Sequence, residues 1–168
     1  SIEFVRPFYE KQKWNKRFET DKLTVLYGDL YGSNIGSNSK NYGLEKTGFR
    51  LFDVAIYEDL SILEMDRDKI SKWRERETEN GIVYGQKFLT RSEIEIQFPD
   101  FELVPIIEFD LENLSHVSVL DNLRKFIPKT TVALSETATM KSEGIVLRNE
   151  CRSKIVKVRF EDYERTLR

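Results

Sequence analysis

Alternation of apolar and polar residues predicts several short strands along this chain. The pattern begins at residues 23–30 and returns at residues 49–57, where an almost continuous apolar run is typical of a largely buried strand. Further strands are predicted at residues 82–84, 103–109, 144–148 and 154–160. Because most of these runs are separated by turns, they are expected to pair as antiparallel sheets.

Helical signals are fewer than strand signals. Residues 7–20 place a proline at the front of a polar helical stretch, and residues 66–78 predict a charged helix. A third helix is predicted at residues 111–126, ending before Pro128, whereas residues 31–48 are rich in glycine, asparagine and serine and predict a loop. The predicted fold class is therefore α+β, with antiparallel sheets and flanking helices.

Length and composition narrow the class of protein. A chain of 168 residues is expected to form a single domain with a sizeable core. No apolar run approaches the length of a membrane span, so no membrane partner is expected. The single Cys151 cannot form an intrachain disulfide, and with one histidine there is no Cys/His cluster for zinc. These features favour an intracellular setting.

Charged residues are distributed unevenly along the chain, whose net charge is −2. Residues 1–23 carry six Lys or Arg against four Asp or Glu, and residues 141–168 carry eight against five. A surface that binds nucleic acid is therefore expected at the two ends of the chain, because phosphate contacts need clustered cations. An ordinary mixed surface is the alternative explanation.

The C-terminal strand pair carries the residues that point most directly to a chemistry. A period of two places Lys157 and Arg159 on one face, about 7 Å apart, while residues 156, 158 and 160 are expected to face the core. Two cations at this spacing suit adjacent phosphates. Glu143, before a glycine and an apolar strand, can hold a divalent metal directly or through water. A half-buried strand with a solvated basic face explains the same pattern without any ligand.

Two earlier runs add candidate residues. Asp29 lies between two glycines, where a carboxylate can accept hydrogen bonds from sugar hydroxyls and the glycines can let a ligand approach the backbone. Phe52 is an aromatic residue in a predicted buried strand, a position that is more often core than a platform for a base. Each run alone is explained by ordinary packing.

Taken in order, these runs resemble the motifs of the covalent nucleotidyltransferase superfamily of ATP-dependent ligases and capping enzymes, most closely the RNA ligase 2 family. YGDLYG at residues 27–32 resembles the third motif, FRLFDV at 49–54 the motif that follows it, EGIVLR at 143–148 the fourth and KVR at 157–159 the fifth. The resemblance covers roughly residues 23–160. It implies a nucleotidyltransferase (ATP-grasp-like) adenylylation domain.

The resemblance implies an ATP-dependent RNA ligase that uses ATP and Mg²⁺ or Mn²⁺. A lysine would take AMP from ATP, pass it to a 5′-phosphate RNA end, and a 3′-hydroxyl would then displace it, with a nicked duplex as the expected substrate. By the same resemblance Asp29 contacts the ribose, Phe52 stacks on adenine, Glu143 organises the metal, and Lys157 and Arg159 bind the phosphates. Glu143, Lys157 and Arg159 are accordingly the predicted catalytic residues.

The chain departs from the family pattern in three places. Asp29 stands where glutamate is usual, and Arg159 where lysine is usual. The lysine-bearing first motif, Lys-x-(Asp/Asn/His)-Gly, does not precede the third motif, and the Lys-x-x-Gly runs that start at Lys40 and Lys141 lie after the third motif and across the fourth. We therefore expect residues 1–168 to be one nucleotidyltransferase-like domain whose nucleophile strand lies upstream of Ser1. The alternatives are a non-catalytic nucleotide- or RNA-binding relative, and a DNA ligase or capping-type enzyme.

Overall fold

The computed structural model describes residues 21–33, 35–78, 81–84, 87–107, 127–149, 152 and 154–166. The strands are β1 (Leu23–Gly32), β2 (Thr47–Tyr57), β3 (Glu75–Thr78), β4 (Gly81–Tyr84), β5 (Lys87–Phe88), β6 (Gly144–Arg148) and β7 (Ile155–Arg159). The α-helices are α1 (Ser39–Tyr42), α2 (Arg67–Arg74), α3 (Arg91–Gln97) and α4 (Phe160–Thr166), and a 3₁₀ helix covers Leu60–Glu64. This mixture of helices and antiparallel strands agrees with the predicted α+β class.

The described strands form three sheets. One contains three strands in the order β1-β2-β5, and the other two are the pairs β3-β4 and β6-β7. Antiparallel pairing places Ala55 of β2 opposite Phe88 of β5. In the C-terminal pair, Gly144 lies opposite Arg159 and Arg148 lies opposite Ile155, so all five residues of each strand are paired.

The chain divides into two compact units. The first is drawn from Ser1–Tyr27 and Leu51–Glu102, and the second from Gly28–Arg50 and Leu103–Arg168. In the first unit the core is built by β2 and by the apolar side of α3 with the residues that flank it. Its buried apolar residues are Leu51, Val54, Ala55, Tyr57, Leu89, Ile94 and Phe98.

Four of the predicted strands are confirmed. These are residues 23–30, 49–57, 82–84 and 144–148, and the strand predicted at 154–160 is observed as Ile155–Arg159. The strand predicted at 103–109 is wrong over residues 104–107, which have no regular secondary structure. Pro105 lacks the N–H that a ladder needs, and the Leu103 carbonyl accepts a hydrogen bond from the Arg50 guanidinium at 2.9 Å instead.

The helix predicted at residues 66–78 is correct in its first part only. It ends at Arg74, and residues 75–78 form β3, which pairs with β4 from Glu75 opposite Tyr84 to Thr78 opposite Gly81. Backbone pairing with a neighbouring strand therefore overrides the helical preference of the charged residues. The predicted loop 31–48 contains the short helix α1. The helices predicted at 7–20 and 111–126 lie outside the described residues. No helix in the described part of the chain is long and apolar enough to cross a membrane.

Helix α3 begins with a capping box that the sequence analysis missed. The Thr90 hydroxyl accepts a hydrogen bond from the Glu93 N–H at 3.3 Å, and the Glu93 carboxylate accepts one from the Thr90 N–H at 2.7 Å. The Thr90 N–H, and then the Thr90 hydroxyl, which donates to the same carboxylate at 2.9 Å, hold the pKa of Glu93 below its usual range. Two N–H groups that the helix itself cannot satisfy are thereby paired.

Replacing Thr90 by alanine should lower the free energy of unfolding by about 1 kcal/mol, because one of these N–H groups loses its acceptor. Urea denaturation measures the change. Ser92→Ala is the matched control, since Ser92 is exposed in the first turn of the same helix and its hydroxyl is not the cap. Equal losses in the two variants would contradict the capping role.

Candidate functional site

Glu143 stands at the point where the C-terminal strand pair begins. Its side chain is exposed, while its carbonyl accepts a hydrogen bond from the Phe160 N–H at 3.0 Å. Because Gly144 is paired with Arg159, the last residue of β7, the backbone of Glu143 is fixed beside the end of that strand. Two predicted site residues that are distant in sequence, Glu143 and Arg159, are thus brought to one end of the same sheet.

Gly144 is required by the close approach of these two strands. Its φ of +148° is one that side chains rarely adopt, and a Cβ atom at this position would lie 1.9 Å from the Val158 carbonyl oxygen. The glycine of the Glu-Gly pair therefore allows backbone contact between β6 and β7. The preceding residue, Glu143, is thereby held directly before the first residue of β6.

The face of the hairpin that carries the predicted phosphate ligands is exposed. Lys157 lies opposite Val146, and both Lys157 and Arg159 are exposed, as the alternation predicted. Val146 and Ile155 on the same face are 55% and 57% exposed. Directly opposed residues of a strand pair share a face, so the register also places Arg148 on this side. Three cations and two apolar side chains form what we call the cationic face.

The prediction that residues 156, 158 and 160 all face the core is wrong at Val156, which is 56% exposed. Val158 is half-buried and Phe160 is buried. Burial therefore increases from the turn end of the hairpin towards Phe160, where the chain leaves β7 for α4. Alternation alone cannot report such a gradient along a strand.

A tyrosine far away in sequence contacts the Glu143 carboxylate. The Tyr42 hydroxyl donates a hydrogen bond to Oε1 of Glu143 at 2.7 Å. The Tyr42 ring packs edge-on against Tyr31, with ring centroids 5.2 Å apart and planes at 71°. Tyr31 is itself buried and accepts a hydrogen bond from Nε of Arg50 at 3.0 Å. The ring of Tyr42 is thus supported on one side while its hydroxyl reaches Glu143.

The backbone around Tyr42 is held by the segment 134–140. The Leu134 N–H donates to the Tyr42 carbonyl at 2.7 Å, and the Met140 N–H donates to the Asn41 carbonyl at 3.2 Å. The side chain of Asn41, 3% exposed, accepts a hydrogen bond from the Thr139 hydroxyl at 2.6 Å. These contacts fix helix α1, although a four-residue helix has little stability of its own.

Electrostatics link Tyr42 to both predicted acids. Burial raises the pKa of Tyr42 well above its ordinary value, and the hydrogen bond and charge of Glu143 and then the charge of Asp29 raise it further. Tyr42 and Glu143 are in direct contact within the second unit, and the charge of Asp29, in the same unit, acts on the same phenol. Asp29 is exposed there. The phenol stays protonated at neutral pH and acts as a donor.

The two carboxylates offer oxygen ligands, which hard cations such as Mg²⁺ and Mn²⁺ prefer. Among the described residues no group of three or more His, Cys, Asp or Glu could hold a metal ion. Magnesium is commonly bound through one or two carboxylates, with water and substrate phosphates completing its coordination. Glu143 therefore fits a metal that arrives with a nucleotide better than a metal held by protein ligands alone.

The glycines beside Asp29 do not leave room for a ligand. The ring of Phe49 fills the space in front of Gly28, where a Cβ atom would lie 2.2 Å away from it. At Gly32, with φ of +81°, a Cβ atom would lie 2.5 Å from the Lys46 carbonyl oxygen. The interpretation that these glycines admit a ligand is corrected, because the protein itself occupies both spaces.

Phe52 lies in the first unit, among aromatic side chains. It is half-buried on β2, and its ring centroid is 6.3 Å from that of Tyr27. Tyr27 also approaches Phe88 at 6.1 Å. Asp53, the residue after Phe52, is buried. The described contacts make Phe52 part of an aromatic cluster, and its role as an adenine platform stays a prediction.

Sequence reasoning gave Tyr42 no role. The signal that could have found it is the Asn41-Tyr42-Gly43 run, which closes the glycine-rich loop. A buried asparagine beside an aromatic residue within such a loop indicates a fixed backbone rather than a mobile one. Its partner, however, is 101 residues away, and no local pattern connects the two.

One of three comparisons with known proteins gives a match, and that match covers most of the chain. Searches of curated proteins and of solved structures gave no match. A protein-family model described as RNA ligase matches residues 5–159, most of the 168 residues. The match includes YGDLYG, FRLFDV, EGIVLR and the KVR run. Because this family model covers most of the chain, the protein belongs to the RNA ligase family.

Proposed function

We propose that this protein is an ATP-dependent RNA ligase and that its second unit carries the part of the nucleotide site that binds phosphate and metal. Membership of the RNA ligase family supports the reaction class. The observation that carries the proposal is the arrangement of Glu143 beside the cationic face of the same hairpin, with the Glu143 carboxylate held by Tyr42.

Each residue has a role that its chemistry permits. Lys157 and Arg159 are exposed cations on the same strand face and would bind successive phosphates of ATP. Arg159 offers a planar fork of donors, which suits two phosphate oxygens, whereas Lys157 supplies a compact charge. Glu143 would hold a divalent ion, which when bound neutralises phosphate charge. Transfer of a nucleotidyl group asks mainly for this positioning and charge screening.

The proposed reaction has three displacements at phosphorus. A lysine amine bonds to the α-phosphorus of ATP and pyrophosphate leaves; a 5′-phosphate oxygen of RNA then takes the AMP and frees the lysine. Finally a 3′-hydroxyl bonds to the 5′-phosphorus, AMP leaves and the strand is sealed. Phe52 would stack on the adenine and Asp29 would contact the ribose.

Sealing of nicked duplexes tests the proposal. The natural protein should join a 3′-hydroxyl and a 5′-phosphate at a nick in duplex RNA, with ATP and Mg²⁺ or Mn²⁺, and should form a covalent protein–AMP adduct on the way. Parallel assays use an RNA–DNA hybrid and duplex DNA, with GTP in place of ATP as a further arm. Nucleotide binding without joining, joining of DNA alone, or a guanylylated protein would each overturn the proposal in favour of a different member of the superfamily.

A further inference from the structure

We propose that Tyr42 is a positioning residue for the ligase reaction, and that its hydroxyl holds the Glu143 carboxylate in the orientation that binds the metal–nucleotide complex. The inference rests on the proposed function. It assigns a role to a residue that lies outside the four motif-like runs and 101 positions before Glu143 in the sequence.

The contact with Tyr42 limits the freedom of an otherwise exposed side chain. A glutamate has three rotatable bonds, and ordering it when a ligand binds costs conformational entropy. The 2.7 Å hydrogen bond occupies one oxygen of Glu143 and leaves the second oxygen and the remaining lone pairs available to a cation. Part of the ordering cost is thereby met before the ligand arrives, which is the basis of preorganisation.

Tyr42 is suited to this task because it is fixed on both its backbone and its ring. Leu134 and Met140 hydrogen-bond to the backbone of Asn41–Tyr42, and Tyr31 supports the ring edge-on. A tyrosine has only two side-chain torsions, so a supported ring presents its hydroxyl at a defined point. Glu143 in turn has its carbonyl fixed by Phe160. Donor and acceptor are therefore both anchored.

The direction of the hydrogen bond is also fixed. A tyrosine hydroxyl carries an O–H donor, whereas an ionised carboxylate can only accept, so Tyr42 donates to Glu143. Such a donor suits the ionised form of a carboxylate, which is the form that binds a metal. Tyr42→Phe removes this donor and keeps the ring that packs on Tyr31.

Two variants separate positioning from a general structural role. In Tyr42→Phe we expect the Mg²⁺ concentration for half-maximal RNA sealing to rise about tenfold, with most of the rate recovered at saturating Mg²⁺, because one charge-assisted hydrogen bond is lost. Tyr31→Phe is the matched control, since it removes a hydroxyl that accepts from Arg50 and does not contact Glu143. It should change the melting temperature without changing the Mg²⁺ requirement.

Binding of Mn²⁺–ATP, measured by titration calorimetry of the natural protein, gives a readout that does not need sealing. Tyr42→Phe should weaken binding about tenfold in the wild-type background and add nothing in a Glu143→Gln background, because the residue acts through that carboxylate. Additive losses, or a Tyr42→Phe protein with the wild-type Mg²⁺ requirement, would overturn the positioning role. If the wild-type protein seals RNA and Tyr42→Phe binds Mn²⁺–ATP as tightly as the wild type, the inference alone is refuted. If the wild-type protein neither seals RNA nor binds Mn²⁺–ATP, the proposed function is refuted as well.

Discussion

Glu143→Ala is expected to reduce RNA sealing by the natural protein at least about 100-fold while leaving the protein folded. Loss of one preorganised charged group at a reacting phosphate typically costs this much in rate. The fold should survive because the Glu143 side chain is exposed and only its carbonyl, which alanine keeps, bonds to Phe160. Single-turnover sealing of a nicked RNA duplex measures the loss, and thermal unfolding reports the fold.

Glu161→Ala is the matched control for this experiment. Glu161 is also an exposed glutamate of the second unit, it pairs with Arg165 at 2.7 Å, and its charge interacts with Arg159. Removing it deletes one acid near the cationic face without touching the proposed metal ligand. Sealing should therefore stay close to the wild-type rate. If Glu143→Ala seals as fast as Glu161→Ala, the assignment of Glu143 is wrong.

Gly144→Ala should destabilise the protein by about 3 kcal/mol or more, the range reached when strained backbone and a steric clash coincide. The added Cβ would lie 1.9 Å from the Val158 carbonyl oxygen, and φ is +148°. The added Cβ atom and the carbonyl oxygen are both attached directly to the backbone, so neither can move away by rotation of a side-chain bond. The hairpin must open or shift, which would also displace Glu143. Denaturant unfolding should show the loss of stability together with a loss of sealing.

Gly36→Ala distinguishes the clash from the backbone conformation. Gly36 also has a positive φ, +73°, but a Cβ atom there would meet nothing within 4 Å. Its substitution should cost only about 1 kcal/mol, the penalty for the left-handed conformation. Equal destabilisation by the two alanines would show that contact between β6 and β7 is not what requires a glycine at position 144.

Local patterns predicted the strands well where alternation and turns agreed. The hairpin of β6 and β7 was predicted within one residue at each end because each strand is short, contains Ile and Val, and follows a charged residue, Glu143 or Lys154. Helix α3 was missed for the opposite reason. Ile94, Ile96 and Phe98 follow one another at a spacing of two, so they resemble a strand, yet Ile96 is 78% exposed. The Thr90–Glu93 cap was the signal that should have prevailed.

Much less of the site could be predicted from the sequence. The motif-like runs supplied Asp29, Glu143, Lys157 and Arg159, and the structure places the last three on one hairpin. The side chain that contacts Glu143 is Tyr42, a residue without a motif of its own. Residue spacing reports which side chains share a strand face. It carries no information on which distant segments meet, because that depends on tertiary packing.

The hydrogen bond between Tyr42 and Glu143 has a consequence for how the protein acquires activity. It joins residues 101 positions apart, so the contact has a high contact order and must await closure of a long loop. During synthesis from the N-terminus, a ribosome-bound nascent chain that already displays Asp29 and Tyr42 still lacks Glu143, Lys157 and Arg159. The contact therefore forms only late in the synthesis of this segment, and until then the Tyr42 hydroxyl has no carboxylate of residue 143 to bind.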